Sequence, residues 1–192
     1  MGRRAAIAGT IAVLIVFAAF AYLVQRGVPA GSGAAPRPAA AADAPAVQPP
    51  SGRKIKARLF YVADEGTRLT SVERDVAYGE SPDDQAREIV SAQIAPVVEP
   101  LLSAIPPGTT LRAVFITKSG DAYVDLSREA RAAHPGGTVD ELLTVYTIVN
   151  ALTVNLPAVT AVQVLVDGKE VDTLAGHVDL RRPLAKNLAW VQ

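Results

Sequence analysis

Val159-Thr160-Ala161-Val162-Gln163-Val164-Leu165-Val166, followed by Asp167-Gly168, is a run rich in β-branched residues that stops at a turn pair. Val162, Val164 and Val166 alternate with Gln163 and Leu165, which is the period of two of a β-strand. It is the clearest strand in the chain and is expected at the centre of a sheet. Just before it lies the longest helical pattern. Thr138 and Glu141 are spaced as a capping box, in which the glutamate returns to the threonine amide. Leu142, Val145, Tyr146, Val149, Leu152 and Leu156 then share one helical face, and Pro157 closes the helix.

Further upstream, Leu111 to Thr117 and Ala122 to Leu126 are short β-type runs separated by Lys118-Ser119-Gly120-Asp121, a spacing that suits a hairpin. Ser127 stands behind the second run as a cap. An earlier helix starts at Ser81, Pro82 and Asp84 and keeps Ala86, Ile89, Val90, Gln93, Ile94 and Val97 on one face, with Pro96 ending or kinking it. Leu101, Leu102 and Ile105 continue the apolar face in a short second piece that Pro106-Pro107-Gly108 stops. At the front, Ile55, Ala57, Leu59 and Tyr61 alternate with Lys56, Arg58 and Phe60. The turn Asp64-Glu65-Gly66 leads from this strand to a weaker edge strand over Leu69 to Tyr78, and the two make a hairpin. This order predicts an α/β (α+β) domain, a two-layer sandwich whose mixed sheet of about five strands carries two main helices on one face.

The 192 residues hold no cysteine, which excludes disulfides, thiolate metal sites, a cysteine nucleophile and a lipid-modified cysteine. Formal charge is zero, but setting aside Arg3, Arg4, Arg26, Arg37 and Asp43 leaves 15 Lys/Arg against 18 Asp/Glu from Arg53 onward. A mildly acidic domain without a dense basic stripe does not suit nucleic acid, whose phosphates demand clustered cations.

Ala5 to Val24 is almost wholly apolar and, at about 1.5 Å per residue, would reach about 30 Å, the thickness of a bilayer core. Arg3 and Arg4 precede it, so a cytoplasmic N-terminus and an exported C-terminal domain are expected. The competing reading is a cleaved signal peptide, since Ala19-Phe20-Ala21 has the small-x-small pattern of a cleavage site; the length of the run favours a retained signal anchor. Residues 25–52 are crowded with Ala, Pro and Gly and hold too few large apolar side chains to repay the entropy of folding. The expected organisation is therefore a cytoplasmic N-terminus with a transmembrane anchor over 1–24, a solvated tether over 25–52, and one folded domain over 53–192.

Few residues suggest chemistry. His134 and His177 are distant in sequence, neither with a second ligand at metal spacing, so a metal would need unrelated loops to converge. Ser127 lacks the small-residue elbow of a hydrolase nucleophile and reads as a cap. Gly136 and Gly137 precede a helix and could offer amides to an anion, but Thr138, Val139 and Asp140 follow where a phosphate loop would carry lysine. Asp125 and Asp179 are the pair that could in principle do acid-base work on a glycan. No catalytic, cofactor-binding or metal-binding residue and no cofactor is assigned.

Several segments together resemble the GerMN domain, the sporulation and spore-germination module of bacterial envelope proteins. They are Leu59-Phe60-Tyr61-Val62, Ile105-Pro106-Pro107-Gly108-Thr109, Ala122-Tyr123-Val124-Asp125-Leu126-Ser127, the helix Glu141 to Leu152 with Ile148-Val149-Asn150-Ala151-Leu152, Val162 to Gly168, and Leu174-Ala175-Gly176-His177-Val178-Asp179-Leu180 with Pro183 and Leu184. The resemblance spans nearly all of 53–192. It departs from the family in lacking a lipoprotein cysteine and in offering a single copy. It implies an anchored, non-catalytic accessory domain at the outer face of the bacterial cytoplasmic membrane, with Gly108, Ser127, Asn150, Gln163, Asp167 and Gly176 as turn, cap and packing positions. The expected function is protein interaction in an envelope or sporulation-related assembly, with an envelope protein as partner. Binding or modification of a cell-wall polymer is the alternative, and a small ligand between helix and sheet a third. Short edge strands could also pair with a second copy.

Overall fold

A computed structural model describes residues 52–192. The expected anchor over Ala5 to Val24, and the tether except for Gly52, lie outside the described residues. Among the described residues no helix is long and apolar enough to cross a membrane.

β1 (Lys54–Val62) and β2 (Leu69–Ala77) form the expected antiparallel hairpin, paired without interruption from Lys54↔Ala77 to Val62↔Leu69. α1 (Pro82–Ile94) starts where its signals lie: the Ser81 hydroxyl accepts the Asp84 amide at 3.1 Å, and Pro82 fills the first position. It ends before Pro96, whose ring drives Ala95 to an extended ψ of 147°. Leu101 to Ile105 do not form the expected helical piece; Leu102 is extended and its carbonyl accepts the Val62 amide at 2.8 Å.

β3 (Leu111–Ile116) and β4 (Asp121–Leu126) make the second hairpin, with a register shift between Leu111 and Ala113. The short α2 (Glu129–Ala132) and the long α3 (Thr138–Asn155) carry the chain over to β5 (Ala161–Val166), which lies parallel to β4. A crossover helix is what joining two parallel neighbours requires. β5 is central as expected: β4 is on one side, and β6 (Lys169–Glu170) and β7 (Leu184–Ala185) are on the other. Asp167 and Gly168 link β5 to β6 with φ of 51° and 75°, a two-residue turn that needs positive φ at both positions.

The mixed five-stranded sheet exists, but its members differ from those expected. β1 and β2 form a separate two-stranded sheet, and the two-residue β6 and β7 complete the larger one. The reason lies in two side chains. Asn155, from the end of α3, accepts the Arg58 amide at 2.8 Å and donates to the Arg58 carbonyl at 2.7 Å. Gln93 of α1 does the same at Phe60, at 2.8 and 2.7 Å. These amides occupy the β1 edge that a further strand would need.

Both helices consequently touch both sheets: α1 packs on β1, β2 and β3, and α3 on β1, β5 and β7. The two helices also pack against each other, and the β1–β2 hairpin adds a second sheet to the expected two layers. α3 is covered on several sides, which is why its buried set extends beyond the expected face to Leu143, Ile148 and Ala151 and to polar Thr144, Thr147 and Asn150. Leu59, Phe60, Ile89, Val124, Leu126, Leu152 and Val162 form the centre of the core. Each large apolar side chain removed from water there contributes ~1.5–3 kcal/mol.

Candidate functional site

Glu141 is fully buried in the first turn of α3. The expected capping box does not form. Gly137, with φ of 87°, is the cap residue, no side chain caps the helix, and Glu141 reaches away to the 174–178 loop. Its oxygens accept the amides of Leu174 at 2.8 Å and His177 at 2.7 Å. Burial pushes this carboxyl upward, but the amides of Ala175, His177, Leu174 and Val178 outweigh that and hold it below the ordinary glutamate value.

The two histidines converge on this helix end. His177 Nδ1 lies 3.2 Å from Glu141. His134 Nδ1 accepts the Gly136 amide at 2.9 Å, and its Nε2 lies 3.2 Å from the Thr144 hydroxyl, which itself donates to the Ala104 carbonyl at 2.6 Å. This calls for a neutral ring with its proton on Nε2. Burial lowers the His134 pKa, opposed by the nearby Glu141 and Asp140 carboxylates. The ring therefore ties the 134–137 loop and the 104–107 turn to α3. Among the described residues no group of three or more His, Cys, Asp or Glu could hold a metal.

The two aspartates meet different partners. Asp125 is nearly buried at the end of β4, accepting from Arg112 Nε at 2.9 Å and from the Gly168 amide at 2.7 Å; Arg112 also reaches Asp167 at 3.2 Å. Asp179 is exposed and held by Arg181 at 2.8 and 2.9 Å, an interaction that pulls its carboxyl well below the usual range. The two share no partner and line no common pocket. Ser127 is not the cap of α2. Its hydroxyl accepts the Thr110 amide at 3.0 Å, closing the mouth of the β3–β4 hairpin, and a further bond to Glu129 holds that carboxyl below its ordinary value. Gly136 and Gly137 face a helix start whose first turn already carries Asp140 and Glu141, so negative charge is in place there.

Buried amide side chains act as backbone clips. Besides Gln93 and Asn155, Asn150 is fully buried and exchanges bonds with the Asn187 carbonyl at 2.8 Å and amide at 3.0 Å. Gln163 donates to the Leu180 carbonyl at 2.5 Å, and Gln85 bridges Gly79 and Ala77 at 3.0 and 3.1 Å. Asn150 and Gln163 are thus packing positions, as the resemblance implies. The clip roles of Gln85, Gln93 and Asn155 and the inward turn of Glu141 have no sequence signature, because each depends on which distant backbone group arrives beside the helix.

What remains open to solvent is surface. A groove of about 580 Å³ is rimmed by Arg128, Arg131, Lys169 and Glu170 over Val171 and Leu174. A second, of about 540 Å³, runs between the end of α1 and the Pro106-Pro107-Gly108 turn, and the same segment exposes Val98 and Leu102.

Comparison with known proteins agrees with this architecture. The sequence profile of the Germane family, described as sporulation and spore germination, matches residues 58–172. Among solved structures the chain is similar to the tandem GerMN domains of the sporulation protein GerM from Bacillus subtilis, at 19% identity and a TM-score of 0.51, covering 71% of this chain and 46% of that one. It is similar also to the first GerMN domain of GerM, at 19% identity and a TM-score of 0.51, covering 68% of this chain and 97% of that one. The chain thus spans about half the length of the tandem structure. No curated protein matches it.

Proposed function

The chain belongs to the Germane family of sporulation and spore germination, and from that premise we propose that it is a membrane-tethered, extracytoplasmic GerMN domain that holds a protein partner in an envelope assembly. One observation carries the reading: the groups best suited to chemistry are engaged with the chain itself. Glu141, Ser127 and Asp125 bind backbone amides of other segments, His134 binds the Gly136 amide of its own loop and the Thr144 hydroxyl, and Asp179 is clamped by Arg181. A general acid or base needs a free lone pair or proton aimed at substrate. These groups are instead committed to holding loops in place, so the domain offers surfaces to a partner. The anchor at Ala5 to Val24 and the tether behind it would present those surfaces beyond the membrane.

Crosslinking in intact cells, followed by purification and mass spectrometry against a control ending at residue 52, tests this. Capture of one reproducible envelope protein that depends on residues 53–192 is the expected result. Loss of residues 53–192 with no change in what is captured would end the interaction reading. The groove in which Arg128, Arg131 and Lys169 stand beside Asp167 and Glu170 favours a second reading, a cell-wall polymer. Recovery of cell-wall fragments in place of protein would move the assignment there.

A further inference from the structure

Strand edges carry N–H and C=O groups that protein or water must meet. Two edges of this domain are occupied by the chain itself. On the outer edge of β1, Asn155 serves Arg58, Gln93 serves Phe60, and Leu102 serves Val62. β6 and β7 run along the far edge of β5. β3 is bonded at one point, where the Ile116 amide donates to Asp83 at 2.9 Å, and α1 packs against this strand.

β2 is different. Arg58 and Phe60 turn their backbone groups away from β2, so their partners Glu73 and Ser71 turn theirs away from β1. Leu69, partner of Val62, does likewise and is met: its amide donates to Trp190 at 2.7 Å and its carbonyl accepts from Gln192 at 2.9 Å, in a parallel bridge to Val191. At the other end, the Ala77 carbonyl is met by Gln85. Between them, among the described residues, nothing bonds the outward backbone groups of Ser71, Glu73 and Asp75. The vacant edge is about 17 Å long at ~3.4 Å per residue.

We propose that this edge, Ser71 to Asp75, docks an extended segment of a partner protein that carries Lys or Arg at alternate positions, added as a third strand of the hairpin. The inference rests on the interaction-domain reading and names its surface. Glu73 and Asp75 project from the same face, two residues apart, and both are exposed. β1 already displays the sequence that suits them: Lys56 Nζ lies 2.6 Å from Asp75, and Arg58 stands opposite Glu73. A strand with alternating cations would repeat that pairing on the outer side, while the carboxylates repel acidic strands and so select the occupant. The single parallel bridge from Val191 to Leu69 shows that the outward backbone groups at the start of this edge take up β-type bonds.

The test uses the full chain in detergent micelles and an acetylated heptapeptide, Thr-Lys-Val-Lys-Val-Arg-Thr, with its Lys/Arg-to-Glu counterpart as control. Amides of Ser71, Glu73 and Asp75 should exchange fast in the free chain and slow by at least about tenfold with the basic peptide, while the acidic peptide does nothing. The double change Glu73→Lys with Asp75→Lys should weaken binding by at least about tenfold. Glu73→Pro removes an outward N–H together with the carboxylate, at a position where an edge strand tolerates proline, and should abolish binding with the melt still cooperative; if that variant fails to fold, the double variant decides. Protected edge amides in the free chain, absence of saturable binding, or equal binding by the double variant would each overturn the proposal. In-cell crosslinking separates the two levels. A partner captured equally by wild type and the double variant overturns the edge and leaves the interaction reading standing, whereas no capture by either overturns the reading itself.

Discussion

Glu141 and His134 make the stability of the domain depend on pH in the same direction. Each has a folded-state pKa below its ordinary value, so each contributes stability that is present above the unfolded pKa and lost as protons are added. For His134 the loss begins as pH falls through about 6.5, when the ring must give up its bond from Gly136 or remain neutral at a cost. For Glu141 it follows below about 4.5, when a carboxyl that holds the 174–178 loop takes a proton. Urea midpoints at pH 8, 6 and 4 should fall in two stages, and His134→Asn should flatten the first; a midpoint constant from pH 8 to 5 would contradict this. Glu141→Gln turns an acceptor of two amides into a group that is half donor and should cost ~1–3 kcal/mol at pH 7. The opposite outcome is expected at Thr147, whose hydroxyl is buried without a partner. Thr147→Val keeps the shape, removes the unsatisfied oxygen and should raise stability by roughly 1 kcal/mol, read as a higher urea midpoint. At this scale the sequence was a poor guide. Thr138 and Glu141 have capping-box spacing, yet a glutamate inside a helix start has two possible destinations, and the choice was made by a loop more than thirty residues away.

Elements were more legible than their neighbours. The Ser81-Pro82 start of α1, its end before Pro96, the hairpin turns and the place of β5 all follow from local chemistry: a hydroxyl that caps, a ring that blocks, a Gly that accepts positive φ. The separation of β1 and β2 from the larger sheet does not. It rests on Gln93 and Asn155, which occupy an edge that would otherwise invite a strand. If this account is right, Gln93→Ala should leave a buried amide and carbonyl of Phe60 unmet and cost ~1–3 kcal/mol, and Asn155→Ala should cost less because water can reach Arg58. Amide exchange would check the mechanism as well as the magnitude: the Phe60 amide should lose protection in the Gln93 variant before the Tyr61 amide, which is bonded within the hairpin. Equal loss at both would mean that Gln93 acts only by packing.

For the molecule as a whole, the family match stops at residue 172, but the fold does not close there. The last twenty residues reach into α3, β5 and β2: Leu174 and His177 to Glu141, Leu180 to Gln163, β7 to β5, Asn187 to Asn150, and Trp190 and Gln192 to Leu69. This was legible only at Leu174 to Leu184, through resemblance, because residues 186–192 have neither a strand period nor a helical one. A chain stopped after Lys186 keeps β7 but exposes the inner end of Asn150, a fully buried amide, and unties the start of β2. Each unmet buried polar group costs ~1–3 kcal/mol, so the truncation should lower stability by about 2–5 kcal/mol, a large share of what a domain of this size possesses. The thermal transition should move down and remain single, since Gln93, Asn155 and Leu102 still tie β1 to the rest of the domain. Two transitions, with the hairpin melting first, would show instead that Gln93 and Asn155 do not suffice and that residues 187–192 are what couple β1 and β2 to the rest.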